Sequence, residues 1–79
     1  MEIGVVSNYF DHVGVAAIKL AKGLKVGDKI QVKGGEIEFE QAVGSMQINR
    51  VEVKSAKKGD EIGIKVDQKV RKGYKVFKI

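Results

Sequence analysis

Ala56-Lys57-Lys58-Gly59-Asp60-Glu61-Ile62-Gly63-Ile64-Lys65-Val66 is a basic, glycine-containing turn that runs straight into an alternating strand. The phrase occurs twice more, as Lys25-Val26-Gly27-Asp28-Lys29-Ile30 and as Arg71-Lys72-Gly73-Tyr74-Lys75-Val76. In each copy a basic residue leads to glycine, then to a polar or aromatic residue, then to an apolar residue that starts a strand. Glycine adopts positive φ without steric penalty, so it can close a tight turn and deliver the chain into an extended segment. Three such entries in 79 residues predict a barrel or sandwich of glycine-turned strands.

Working outward, the remaining segments fit the same class. Ile3 to Phe10 is β-branched and aromatic, which predicts a first strand, with Asp11-His12 as a tight turn. In Val13 to Ala21, Ile18, Ala21 and Leu24 could stripe a helix, while Val13, Val15 and Ala17 alternate as in a strand. Gly14 and Gly23 at its ends, and the need for a hairpin partner, favour the strand. Asp28 to Lys33 points Ile30 and Val32 inward, and Gly34-Gly35 ends it. In Glu36 to Val43 the residues Ile37, Phe39 and Val43 face the core, with Glu36, Glu38 and Glu40 opposite. Carboxylates two apart on a strand splay too regularly to converge on one ion, so they suit a solvated stripe or partners for neighbouring lysines.

Ser45 to Val53 changes parity: Met46 and Ile48 share one face, Val51 and Val53 the other. A bulge or turn at Asn49-Arg50 reconciles them, because asparagine tolerates the required backbone. Lys54 to Lys58 and Asp67 to Lys72 are basic connections. Ile62, Ile64 and Val66 point inward, and Tyr74 to Ile79 closes the chain as a strand. The expectation is a single all-β domain over residues 1–79, a small closed antiparallel barrel of six to seven strands, since closure removes exposed edges.

Composition bounds the function. A chain of this length has no room for a second core. There is no cysteine, which excludes disulfides and thiolate metal sites and favours a cytoplasmic protein. No apolar run approaches the ~20 residues of a membrane helix, and Met-Glu-Ile-Gly does not resemble a signal peptide. The net charge of +5 is uneven: residues 1–49 carry five lysines against six acids, residues 50–79 ten basic residues against four acids. A polyanion would meet the C-terminal part, although lysines also solvate strand faces and guard sheet edges.

Catalytic residues are not apparent. His12 is the only histidine and suits an exposed turn. The serines, Ser7, Ser45 and Ser55, offer little for a nucleophile–base pair. Asp60 and Glu61 are adjacent at a strand start and face opposite ways, with Asp60 suited to bonding its own turn. No enzymatic activity, cofactor or metal is expected.

Ala56-Lys57-Lys58-Gly59-Asp60-Glu61-Ile62-Gly63-Ile64 and Val70-Arg71-Lys72-Gly73-Tyr74-Lys75-Val76-Phe77 resemble the second domain of the translational GTPases, the elongation factor Tu barrel. Leu24-Lys25-Val26-Gly27-Asp28-Lys29-Ile30 resembles a third phrase of that barrel, and Gly4-Val5-Val6 with Val13-Gly14-Val15 its first hairpin. Tyr74 stands where that family usually has aspartate or glutamine. There is no Gly-x-x-x-x-Gly-Lys-[Ser/Thr] loop, so no nucleotide binding is expected. Similar barrels also end some collagenase-like peptidases, and a related one occurs in RNA-modifying ribonucleoproteins. The resemblance implies a translation-factor-like module without GTPase activity that contacts RNA or the ribosome. Candidate phosphate contacts are Arg50, Lys54, Lys57, Lys58, Lys69, Arg71 and Lys72, with Tyr74, Tyr9 and Phe10 available to stack bases if exposed. Phe10 and Phe39 are otherwise expected in the core. The alternative is an adaptor that docks on a larger enzyme or translation factor, for which scattered cations and an exposed apolar patch would speak.

Overall fold

The computed structural model describes residues 1–79. The chain is all-β. Ten strands follow one another: β1 (Glu2–Phe10), β2 (Val15–Leu20), β3 (Leu24–Lys25), β4 (Lys29–Gly34), β5 (Ile37–Ala42), β6 (Met46–Ile48), β7 (Val51–Val53), β8 (Ser55–Ala56), β9 (Glu61–Lys65) and β10 (Lys75–Lys78). Eight form one antiparallel sheet in the order β5-β4-β10-β1-β2-β9-β6-β7, and β3 pairs with β8 in a second, two-stranded sheet. This departs from the six or seven strands expected. The basic connection Lys54 to Lys58 contains β8, and the Ser45 to Val53 segment divides into two strands.

That division is a two-residue hairpin. Asn49 and Arg50 both take positive φ, +52° and +65°. Two successive left-handed residues match the right-handed twist of the flanking strands. Met46 then lies opposite Val53 and Ile48 opposite Val51, so the parity change in the sequence disappears. Asp11-His12 also lies in a turn, which closes through Gly14 at φ +68°.

The three glycine turns are built alike. In each, the fourth residue donates its N–H to the carbonyl of the first: Asp28 to Lys25, Asp60 to Lys57 and Tyr74 to Arg71. The glycine sits third, with φ of +98°, +93° and +97° at Gly27, Gly59 and Gly73, the geometry of a type II turn. Each turn then grips one buried residue from elsewhere in the chain by two backbone bonds. Gly59 N–H donates to the Leu20 carbonyl at 2.9 Å, and Leu20 N–H donates to the Asp60 carbonyl at 2.8 Å. Gly73 and Tyr74 hold Val6 in the same way, and Gly27 and Asp28 hold Val43. The aspartates add a bond that tyrosine cannot make: Asp28 Oδ2 accepts from Lys25 N–H at 2.9 Å and Asp60 Oδ2 from Lys57 N–H at 3.0 Å. Asp60 thus bonds its own turn, as its position suggested.

Sixteen apolar residues form one core, among them Ile3, Ile18, Leu24, Ile30, Met46, Ile62, Ile64 and Val76, and no polar side chain is buried with them. Ile30 and Val32, Phe39 and Val43, and Ile62, Ile64 and Val66 lie inward as their alternation predicts. β2 is the strand expected within Val13 to Ala21, and packing selects its inward set. Ala16, Ile18 and Leu20 are buried, whereas Val13 is exposed and Val15 and Ala17 are only half-buried. Tyr74 and Val76 form the inward set of the last strand, and Ile79 stays exposed. No hydrogen-bonded pairing joins the outer strands β5 and β7 into a closed ring. Gln41 of β5 instead reaches across with its side chain, donating from Nε2 to the Lys65 carbonyl at 2.8 Å and accepting from Asp67 N–H at 2.9 Å. The chain has no helix long and apolar enough to cross a membrane.

Candidate functional site

Strand directions decide which cations can act together. β4 and β9 run one way and β10 the other, since β10 pairs antiparallel with β4 and β1, and β1 and β9 each pair antiparallel with β2. The turns leading into β4 and β9 therefore lie at one end of the sheet, and the turn into β10 lies at the other. Lys54, Lys57 and Lys58 sit at the first end. There the β3–β8 pairing, Leu24 with Ala56 and Lys25 with Ser55, brings Lys22 and Lys25 beside them. Lys69, Arg71, Lys72 and Tyr74 sit at the far end, where Lys69 pairs with Asp11 at 3.6 Å. Arg50 is at neither, but at the tip of the β6–β7 hairpin.

The expected basic C-terminal face is thus not one surface. The split of charge along the chain misled because two lysines from the acidic half, Lys22 and Lys25, fold into the basic end. The aromatic candidates also divide. Tyr74 packs against the core with its ring over Gly34, so close that a Cβ on that glycine would overlap it. Tyr9 likewise packs on the core. Phe10, expected inside, is 41% exposed. Glu36, Glu38 and Glu40 stay on the exposed face, where Glu38 meets Lys33, its cross-strand partner, at 3.6 Å.

Sequence reasoning missed the outer face of β2. Its outward residues are Val15 and Ala17, and β1 adds Phe10 directly opposite Val15. Val13, 49% exposed, leads into the same face. Gly63 of β9 lies opposite Ala17 and has no side chain to fill the space. A broad hollow results, lined by Phe10, Val13, Val15, Ala17, Ile48 and Gly63, with His12, Arg50 and Glu61 among its polar residues. One signal was legible: Val13 to Ile18 is apolar at every position but glycine, and a strand apolar on both faces is usually covered on both. Beside the hollow, the Ser7 hydroxyl lies 2.6 Å from Glu61 Oε2 and 3.2 Å from the Ala17 carbonyl, which leaves it held as a donor between β1, β2 and β9.

Only one ionisable group is clearly perturbed. Asp28 is held below its ordinary value, first by the hydrogen bond from Lys25 N–H and then by Lys78, whose Nζ is 3.3 Å away, with partial burial opposing them. The cause is turn architecture and not a reactive constellation.

No protein-family profile matches the chain. A Methanocaldococcus jannaschii protein described as an uncharacterized protease is 44% identical over 78 residues, 98% of this chain. The chain spans 19% of that protein's length. Two crystal structures of the C-terminal domain of a Geobacillus thermoleovorans protein, provisionally named a U32 peptidase, superpose with TM-scores of 0.92. Their identities are 20% and 21%, covering 96% and 98% of this chain and 96% and 90% of theirs. At that identity the likeness shows a shared fold. These relatives overturn the resemblance to the elongation factor Tu barrel, and with it the translation-factor and ribosome reading. The physical reason lies in the turns: glycine, aspartate and the basic residue satisfy a type II turn clamped to a strand, so they record a backbone requirement and not a translation function. In fold the chain resembles the C-terminal domain of that Geobacillus thermoleovorans protein, and in sequence one segment of a longer Methanocaldococcus jannaschii protein described as a protease.

Proposed function

We propose that the chain is a non-catalytic docking domain of a peptidase-type polypeptide, seated on the rest of that polypeptide through the outer face of β2. The observation that carries this is the solvent-facing set Phe10, Val13, Val15, Ala17 and Gly63. An antiparallel sheet normally presents polar residues on its free face, and an apolar hollow with a polar rim is the usual form of an interaction surface. The likeness to one-fifth of a much longer protein described as a protease supplies the occupant. The non-catalytic part rests on the residues: His12 lies in an exposed hairpin turn, and Ser7 is engaged with Glu61 and Ala17. The cysteine-free composition favours the cytoplasm. The same reading takes β5-β4-β10-β1-β2-β9 as a rolled barrel closed by Gln41 against Lys65 and Asp67, with β6–β7 as an appended hairpin.

The test adds the 79-residue chain in trans to the Methanocaldococcus jannaschii relative lacking its matching segment, with association followed by analytical ultracentrifugation. Wild type should form a one-to-one complex, and Phe10→Ser with Val13→Ser should abolish it while leaving the melting temperature unchanged. No complex, an equally strong complex with the double variant, or self-association of the chain alone would overturn the reading.

A further inference from the structure

The sheet ends on β7, whose outer edge has no strand beside it. β3 runs alongside the preceding segment only as far as Val26, whose N–H donates to the Lys54 carbonyl at 2.9 Å. Gly27 then turns the chain away to Val43. A cleft remains where the departing strand would have continued. Val26, Gly44, Ser45 and Val53 line it, together with Lys25, Lys54 and one acid, Glu52. Val26 is 39% exposed, so apolar surface faces solvent there. The two lysines that line it, Lys25 and Lys54, are exposed and take no part in an ion pair, and Lys22, Lys57 and Lys58 lie further along the β3–β8 pairing.

We propose that this cleft takes an extended polypeptide segment carrying both acidic and apolar residues, added as a strand along the open edge of β7. An open edge supplies backbone donors and acceptors, and side chains at alternate positions then meet different surroundings. Val26 and Val53 offer the segment apolar contacts, and Lys25 and Lys54 offer cationic ones. Charge complementarity to Lys25 and Lys54 makes the segment's charged residues acidic. The same residues disfavour a nucleic acid. Both arginines, Arg50 and Arg71, lie elsewhere, so no planar fork is present for phosphate. No aromatic side chain lines the cleft to stack a base. The surface is separate from the hollow over β2, and Phe10 and Val13 play no part in it.

The experiment measures fluorescence anisotropy of a short labelled peptide of alternating glutamate and valine. The comparisons are the lysine–valine peptide and a single-stranded RNA of equal length. The glutamate peptide should bind the folded chain, and the other two should not. Lys25→Glu with Lys54→Glu should weaken binding about tenfold or more, and Glu52→Lys should tighten it. The Glu52 amide should exchange more slowly when peptide is bound. Wild type alone repeats the charge test, because affinity should fall as salt rises; this holds even if the double variant melts early. Absence of peptide binding, RNA binding as strong as the peptide's, indifference to charge reversal, or an unprotected Glu52 amide would each overturn the proposal. None of these outcomes bears on the docking face around Phe10.

Discussion

Gly59→Ala isolates the turn that organises β9. Gly59 has φ +93°, and a Cβ built there meets nothing within 4 Å. Any loss of stability must therefore come from backbone strain and not from a clash. A non-glycine residue held in a sparsely populated region costs roughly 1–3 kcal/mol. Alanine recovers about 0.4–1 kcal/mol of that by restricting the unfolded chain. The net expectation is a loss of about 1–2 kcal/mol, a fall in Tm of roughly 4–16 °C for a domain of this size. Gly44→Ala is the control. Gly44 also has open space around it but no positive φ, so the same substitution should leave Tm unchanged or slightly raised. Both are read by differential scanning calorimetry at one pH. If Gly59→Ala melts within about 2 °C of Gly44→Ala, the clamp on Leu20 tolerates another turn geometry and the reasoning fails.

Gly34→Ala should destabilise through contact instead of strain, because its Cβ would overlap the Tyr74 ring. Overpacking costs about 1–3 kcal/mol, and a double-mutant cycle with Tyr74→Ala, read by urea unfolding, should show coupling. Arg50→Gly should raise stability by about 0.5–1 kcal/mol, since Arg50 is held at φ +65° in the β6–β7 hairpin and glycine relieves the strain; thermal melts check it. Asp28 governs part of the acid limb. Its folded pKa lies below the ordinary 3.8, chiefly through the Lys25 N–H and then Lys78. Its contribution is therefore present above pH 3.8 and lost as pH falls through the depressed folded value. Asp28→Asn should flatten the fall in urea midpoint below pH 4 relative to wild type, with the two curves parallel at neutral pH.

The division between what was legible and what was not follows from the range of the interactions. The turns were legible because glycine, asparagine and aspartate act within four residues: Gly27, Gly59 and Gly73 all take the expected backbone, and Asn49-Arg50 makes the hairpin that parity demanded. Most inward faces were legible too, since alternation along β4, β5 and β9 needs only one strand and one core. β2 was not. Val13 to Ile18 is apolar on both faces, so alternation held no information about which side the core would take. Pairing with β1 and β9 decided for Ala16 and Ile18 and left Val15 and Ala17 outside.

Charge was the least legible feature. A sum along the chain assigns Lys57, Lys58, Arg71 and Lys72 to one basic segment, but the potential at a surface depends on position in space. Because β9 and β10 run in opposite directions, these turns leave opposite ends of the sheet, and the β3–β8 pairing recruits Lys22 and Lys25 from the acidic half. By itself the sequence determined an all-β chain with three glycine-turned strand entries, because those depend on local backbone sterics and period. The tertiary structure alone decided that Phe10 and Val13 lie outside, that the basic face divides, and that β7 keeps an open edge, since each depends on which distant strands pair and in which direction.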